Sequence, residues 1–294
     1  MTYSLYHSVR FAREYDQVVR QGYPIHALAA QTLASFASIS PHQVVFDLGA
    51  GTGLAAAEAL RYQPRQLILL DSSQAMLKVA RERLASSEAY VPMGIEYVVG
   101  DALRMAELVE PASIDVIISN YAFGLFRNLQ RAMRQVSSVL RPGGTIVFDV
   151  LPPIGPTTHF LSLTPPARAF HQKLAAILGK YGHQAQHRRL QCLDLQTCQT
   201  IASAEGLQVV DTLHTEFVFD LNEAENIWRY GWYFSIPTHP YLRRLPRSAL
   251  AEMVETAIMQ TRHTQDYQAW LEAGQVLRES YVAAKLKKLT GTIC

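Results

Sequence analysis

Val44-Val45-Phe46-Asp47-Leu48-Gly49-Ala50-Gly51-Thr52-Gly53 is an apolar run that ends in an acid and then breaks into alternating glycines. Val44, Val45, Phe46 and Leu48 are the side-chain types of a strand covered on both faces. The alanine-rich stretch from Leu54 to Leu60 is helical in character. The glycines therefore occupy a strand-to-helix turn, where the missing Cβ atoms permit unusual backbone angles and let a ligand approach the main chain. The spacing is G-x-G-x-G, since Leu54 stands where a dinucleotide fingerprint has its third glycine. Asp47, two residues before Gly49, disfavours a pyrophosphate and favours a cationic ligand, such as one carrying an α-ammonium group. The alternative is a glycine turn made only for strand–helix packing.

Outward from the loop, the same unit repeats. Gln66 to Leu70 is a short apolar run ending at Asp71, and Ser72 to Leu84 places Ala75, Met76, Val79, Ala80 and Leu84 on one helical face. Asp71 lies about twenty residues past the glycines, where an acid closing the second strand takes a ribose diol; the helix cap falls to Ser72 or Ser73. Ile95 to Val99 and Ile114 to Ser119 are the third and fourth strands, followed by Asp101 and Asn120. Asp47, Asp71, Asp101 and Asn120 are thus expected to converge at the carboxyl edge of an open parallel sheet, where such sheets hold ligands. Leu125 to Leu140 reads as an amphipathic helix stopped by Arg141-Pro142-Gly143-Gly144, and Thr145 to Val150 as the fifth strand.

The flanks are less regular. Ile25 to Phe36 has helical spacing, preceded by an aromatic leader containing Tyr3, Tyr6, Phe11, Tyr15 and Tyr23, which is either a lid or an arm packed on the body. Prolines between Pro152 and Pro166 mark a linker or the start of a cap. Phe170 to Gly179 and Gln196 to Glu205 read as helices, and Leu207 to Leu221 as a strand bent near His214. Asn222 to Tyr233 reads as a helix capped by Asn222 with Glu225 three residues on, and Pro246 to His263 as an amphipathic helix with proline at its start. Val276 to Leu286 fits a closing strand.

With 294 residues, 49% of them hydrophobic, the chain can bury one substantial core plus a subdomain. A net charge of +2 without blocks of like charge gives a nucleic-acid partner no support. Cys192, Cys198 and Cys294 form no C-x-x-C pair, which disfavours a disulfide framework and a zinc site. Charges among the first twenty residues argue against a secretory signal, and no apolar stretch reaches the length of a bilayer span, so a cytoplasmic location is expected.

Five segments in order, FDLGAGTG at Phe46–Gly53, LLDSSQAML at Leu69–Leu77, VVGDA at Val98–Ala102, DVIISNYAF at Asp115–Phe123 and VLRPGGTIVF at Val139–Phe148, resemble the class I S-adenosylmethionine-dependent methyltransferases, and within them the small-molecule branch called methyltransferase type 11. The resemblance implies an α/β fold, a doubly wound, Rossmann-like sheet of seven mostly parallel strands with the last antiparallel, under a helical cap. It implies that Gly49, Gly51 and Gly53 floor the methionine portion of S-adenosyl-L-methionine with Asp47 near its ammonium, and that Asp71 holds both ribose hydroxyls. It places Ser72 and Met76 beside the adenosine, Asp101 and Ala102 at the adenine, Asn120 near the sulfonium, and Tyr15, within Glu14-Tyr15-Asp16, as a lid residue. On this basis residues 1–40 form an N-terminal arm and helix, 41–150 the cofactor-binding core, 151–195 a cap segment, 196–221 a core helix and strand, 222–270 a helical cap insertion, and 271–294 a closing strand and tail.

Methyl transfer from a sulfonium is an in-line displacement in which the protein aligns donor and acceptor in a dry cavity. Carboxylates and neutral amines attack unassisted; phenols, indole nitrogens and carbon acids need a base. Histidine is the obvious type, and among His7, His26, His159, His171, His183, His187 and His239 the first to consider are His159 and His239. Trp228, Tyr230 and Trp232 either stack the acceptor or pack the cap. Beyond Asp115 and Asn120 no carboxylate set for magnesium is apparent, so no metal is expected. The expected acceptor is a small, aromatic or apolar biosynthetic molecule. Alternatives are a carrier-bound or lipid-quinone acceptor, with Arg243, Arg244 and Arg247 as a basic rim, or a non-catalytic binding protein.

Overall fold

The computed structural model describes residues 7–85, 92, 94–150, 165–179, 194–231 and 245–290. Among the described residues seven strands form one sheet, ordered β3-β2-β1-β4-β5-β7-β6: β1 Val44–Leu48, β2 Gln66–Asp71, β3 Ile95–Val99, β4 Ile114–Ser119, β5 Leu140–Asp149, β6 Leu207–Phe219 and β7 Leu277–Lys288. β1 to β5 pair in parallel, and β7 runs antiparallel to both β5 and β6. The strand order reverses between β1 and β4, which opens a crevice at their carboxyl ends. All five residues of β1 are buried because helices cover both faces.

One face carries α1 Val9–Gln21, α2 Ile25–Ala37, α3 Leu54–Leu60 and α4 Gln74–Ala85. It shares a continuous apolar cluster with α6 Pro165–Gly179, α8 Leu221–Gly231, α9 Arg247–Arg262 and α10 Gln265–Glu272. The other face carries α5 Leu129–Val139, α7 Leu195–Ala204 and a 3-10 turn over Ala102–Glu107. None of the described helices is long and apolar enough to cross a membrane.

Several elements differ from expectation for identifiable reasons. The leader is a helix, α1, started by Ser8, whose Oγ accepts the Phe11 amide at 3.4 Å, and it buries Phe11, Ala12 and Val19. α5 starts at Leu129 because Asn128 Oδ1 caps the Arg131 amide at 2.9 Å, and Phe123–Leu125 is a separate 3-10 turn. Arg141-Pro142-Gly143-Gly144 lies inside β5, with Leu140 opposite Ile114 and Gly143 at φ +80°. The irregularity in β6 falls between Val209 and Asp211, not near His214. α8 is capped reciprocally by Asp220 and Glu223, at 2.8 and 2.9 Å, not by Asn222 and Glu225. Glu225 instead turns inward, accepting Tyr267 Oη and Arg262 Nε, each at 2.8 Å, and so ties α8 to α10 and α9.

Candidate active site

The glycine loop follows β1 directly. Gly49 and Ala50 donate their amides to the Leu70 carbonyl at 2.9 and 3.0 Å, fixing the loop over the end of β2. Gly49, Gly51 and Gly53 have φ of +73°, +54° and +79°. A Cβ on Gly49 would lie 2.4 Å from the Ala122 Cβ, and one on Gly53 3.0 Å from the Ala80 Cβ, whereas beside Gly51 there is open space. Close packing thus explains two of the glycines. Gly51 faces the crevice.

Two carboxyls, Asp47 buried and Asp71 half-buried, meet this loop. Asp47 Oδ2 accepts the Ala56 amide at 3.0 Å; burial pushes its pKa up to about 7, the backbone bond offsets part of that, and the Asp71 charge adds to it. Asp71 accepts the Gly51 amide on Oδ2 at 2.9 Å and the Ser73 amide on Oδ1 at 2.8 Å. Burial raises its pKa against the pull of those amides. Each Asp71 oxygen keeps lone-pair capacity for a hydroxyl. A ligand bearing an ammonium and a sulfonium supplies the countercharge these acids need, so the donor set fits S-adenosylmethionine.

The other expected residues sort by position. Ser73, not Ser72, caps α4, its Oγ accepting the Met76 amide at 3.2 Å. Ser72 is exposed, and Met76 is buried in the apolar cluster beneath. Asp101 is exposed at the end of β3 with Oδ1 on the Leu103 amide at 2.9 Å, and Ala102 is buried beside it. Asn120 follows β4; its Nδ2 donates to the His26 carbonyl at 3.0 Å. Its Oδ1 is buried without a hydrogen-bond partner among the described residues. Asp115 lies at the opposite, amino-terminal edge, accepting Arg141 Nη1 and the Val44 amide, each at 2.7 Å. Asp115 and Asn120 thus sit at opposite ends of β4 and form no common site.

The N-terminal arm reaches the same edge. Asp16 pairs with Arg83, whose Nε donates to the Thr52 carbonyl at 2.9 Å, so α1 is fastened to the glycine loop through α4. Tyr15 is half-buried, with Oη 3.5 Å from His26 Nδ1. His26 stacks on Tyr121 at 4.6 Å, and burial lowers its pKa to about 3, which keeps the imidazole neutral. Tyr23 meets His26 edge-on at 5.4 Å, and Tyr121 meets Tyr281 at 6.4 Å. His159 and His239 lie outside the described residues. Trp228 packs the cap, stacked on Phe170 at 5.6 Å, and Cys198 is a core thiol whose pKa burial pushes up to about 12.

Sequence reasoning passed over Asp149. It closes β5 as Asp71 closes β2, so a polar residue ending an apolar run was the available signal. It is buried, with Oδ1 on the Tyr121 amide at 2.5 Å. Tyr121 itself has φ +52°, a strained setting for an aromatic residue beside a site.

Residues 46–148 match a family model described as a methyltransferase domain. A malonyl-[acyl-carrier protein] O-methyltransferase of Paenibacillus sp. is 24% identical over 67% of this chain and 71% of that relative. One of the same name from Xylella fastidiosa is 36% identical over 38% of the chain, spanning 36% of the relative. Among solved structures, a putative methyltransferase of Bacillus halodurans superposes with a TM-score of 0.53 at 17% identity, covering 89% of this chain and 99% of that one. A Haemonchus contortus phosphoethanolamine N-methyltransferase solved with S-adenosylhomocysteine gives 0.53 at 15% identity, covering 96% of this chain and 58% of that one. Residues 46–148 are thus a methyltransferase domain on the fold of these solved structures, with a crevice that fits S-adenosylmethionine as methyl donor.

Proposed function

We propose that this chain methylates a small, aromatic or apolar molecule held against the rings of Tyr15, His26 and Tyr121 at the end of β4. The observation that carries this reading is the stack of His26 on Tyr121 beside Asn120, one strand from the glycine loop. Flat rings offer an aromatic acceptor edge and face contacts worth about 0.5–1.5 kcal/mol per pair beyond area burial. In this reading Asp47, Gly49, Gly51 and Gly53 hold the methionine end of the donor, Asp71 the ribose, and Ser72, Met76, Asp101 and Ala102 the adenosine. Asn120 borders the sulfonium, and Tyr15 closes over it on α1. The donor supplies an activated methyl group. The chain's own work is to orient the acceptor and exclude water. His26 is not the base of this reading, because a neutral imidazole whose pKa burial lowers to about 3 is a poor proton acceptor near neutrality.

The names of the Paenibacillus and Xylella relatives favour a second reading, a carrier-bound acyl acceptor. One experiment separates the two. With purified full-length protein and labelled donor, a panel of small aromatic metabolites is set against malonyl-loaded acyl-carrier protein, and Tyr121→Ala is tested beside the wild type. Transfer to free aromatic molecules, with KM raised about tenfold by Tyr121→Ala, supports the first reading. Transfer to the carrier alone overturns it.

A further inference from the structure

Asp149 and Tyr281 lie on one face of adjacent strands. Asp149 is opposite Ala283 in the β5–β7 register, and Tyr281 is two residues from Ala283, so the carboxyl and the phenol are diagonal neighbours. Both are buried, at 5% and 2% exposure. Asp149 Oδ1 is occupied by the Tyr121 amide, and the Tyr281 hydroxyl has no hydrogen-bond partner among the described residues. A buried phenol left in that state is costly unless another group completes it. The ring face of Tyr121 ends at this pair, and Asn120 Oδ1, also without a described partner, is one residue away. The site therefore sets an unpartnered acceptor, Asn120 Oδ1, and a hydroxyl able to donate or accept beside a carboxylate, a pattern that suits a ligand bringing a proton.

Resting on the acceptor reading above, we propose that Asp149, with Tyr281 orienting the substrate, takes the proton of a protic aromatic acceptor, a phenol or an arylamine, during methyl transfer. The acceptor's lone pair forms the bond to the donor methyl carbon while the carbon–sulfur bond breaks, its electron pair staying on sulfur. The O–H or N–H proton passes to Asp149 Oδ2, the oxygen that does not hold the Tyr121 amide. Tyr281 donates to or accepts from the acceptor heteroatom and holds it in line. Burial brings Asp149 to a pKa of about 6, so the group is ionised near neutrality yet basic enough to serve. The titratable groups around it are Tyr121 at the end of β4, Tyr281 on β7, His26 on α2 and Cys198 on α7; burial keeps Tyr281, His26 and Cys198 neutral in that range.

The test uses Asp149→Asn, whose amide oxygen can still cap the Tyr121 amide but cannot take up a proton, and Tyr281→Phe, with thermal unfolding to confirm that each variant folds. Phenols, arylamines and aromatic carboxylic acids are offered to the full chain with S-adenosylmethionine. Asp149→Asn should lower kcat on phenols about 100-fold, leave S-adenosylhomocysteine affinity within about twofold, and remove the limb of the pH–rate profile that rises through about pH 6. Tyr281→Phe should raise KM about tenfold and keep that limb. In calorimetry without turnover, phenol binding to the S-adenosylhomocysteine complex should release protons near about pH 6 in the wild type, and in Tyr281→Phe if Asp149→Asn fails to fold. Unchanged rates and pH limb in Asp149→Asn, no proton release, transfer only to free carboxylic acids, or no transfer to any panel member overturns the assignment. Transfer to free carboxylic acids leaves the small-acceptor reading standing, whereas transfer to malonyl-loaded carrier alone defeats both.

Discussion

The two halves of this molecule hold their buried polar groups for opposite ends. At the carboxyl edge of β1, β2, β4 and β5, Asp47 and Asp149 are buried and Asp71 and Asn120 half-buried, with carboxyl pKa values raised or an oxygen unpartnered among the described residues. In the helical layer of α8, α9 and α10, the buried acid Glu225 is saturated. Burial would push its pKa up, but bonds from Arg262 and Tyr267 bring it below the ordinary value. An acid completed by its own fold contributes stability; an acid left incomplete costs it unless a ligand finishes the job. The difference separates a region organised for binding from one organised for packing.

The sharpest way to break that contrast is to remove an incomplete acid. Asp71→Ala deletes the acceptor proposed for the ribose and also frees the Gly51 and Ser73 amides. Calorimetry with S-adenosylhomocysteine should show affinity about 100-fold weaker, the loss of two hydrogen bonds to a charged group. Unaltered affinity would move the ribose elsewhere. Next in size is Gly49→Ala. The new Cβ would sit 2.4 Å from that of Ala122, at φ +73°, so both sterics and backbone oppose it. Urea unfolding should show about 2 kcal/mol lost, with binding impaired as well because Ala122 borders Tyr121.

The counterpart in the helical layer is Glu225→Ala. It strands the buried Tyr267 hydroxyl and releases the Arg262 guanidinium to water. Unfolding should register about 1.5 kcal/mol, while S-adenosylhomocysteine affinity stays unchanged. A loss of affinity with folding intact would show that the cap and the crevice are coupled, and the contrast between the halves would blur.

The same division governs what could be read from the residues alone. Strands β1 to β4, the glycine loop and the strand-end acids are written in local patterns: apolar runs of strand length, turns that require glycine, and a polar residue where each strand stops. Elements whose reasons are tertiary were less legible. Asp220/Glu223 and Asn222/Glu225 have the same three-residue spacing, and only the packing of Glu225 against Tyr267 and Arg262 decides which pair caps α8. α1 buries Phe11 and Val19 in a layer where it packs on α4 and α2 rather than on a strand, and α10 depends on Tyr267 and Trp270 finding the cap interior. His26 looked like one histidine among ten; the fold makes it distinctive by setting its ring on Tyr121.

The smallest effect follows from Asp47. Burial first, and then the charge of Asp71, raise its pKa to about 7, against the Ala56 amide. A carboxyl whose folded pKa exceeds its unfolded value binds its proton more tightly when folded. Its contribution to stability is therefore present in acid and is lost as the pH rises from about 4 through about 7. An ammonium placed beside it reverses the preference by favouring the ionised form, so binding is coupled to proton release. S-adenosylhomocysteine affinity should consequently rise several-fold between about pH 6 and about pH 8, and the shift in melting temperature on adding it should grow over the same interval. In Asp47→Asn both dependences should flatten, because the amide can still accept the Ala56 amide but does not titrate. An equally steep pH profile in that variant would assign the proton to Asp71 and place the ammonium nearer the end of β2 than of β1.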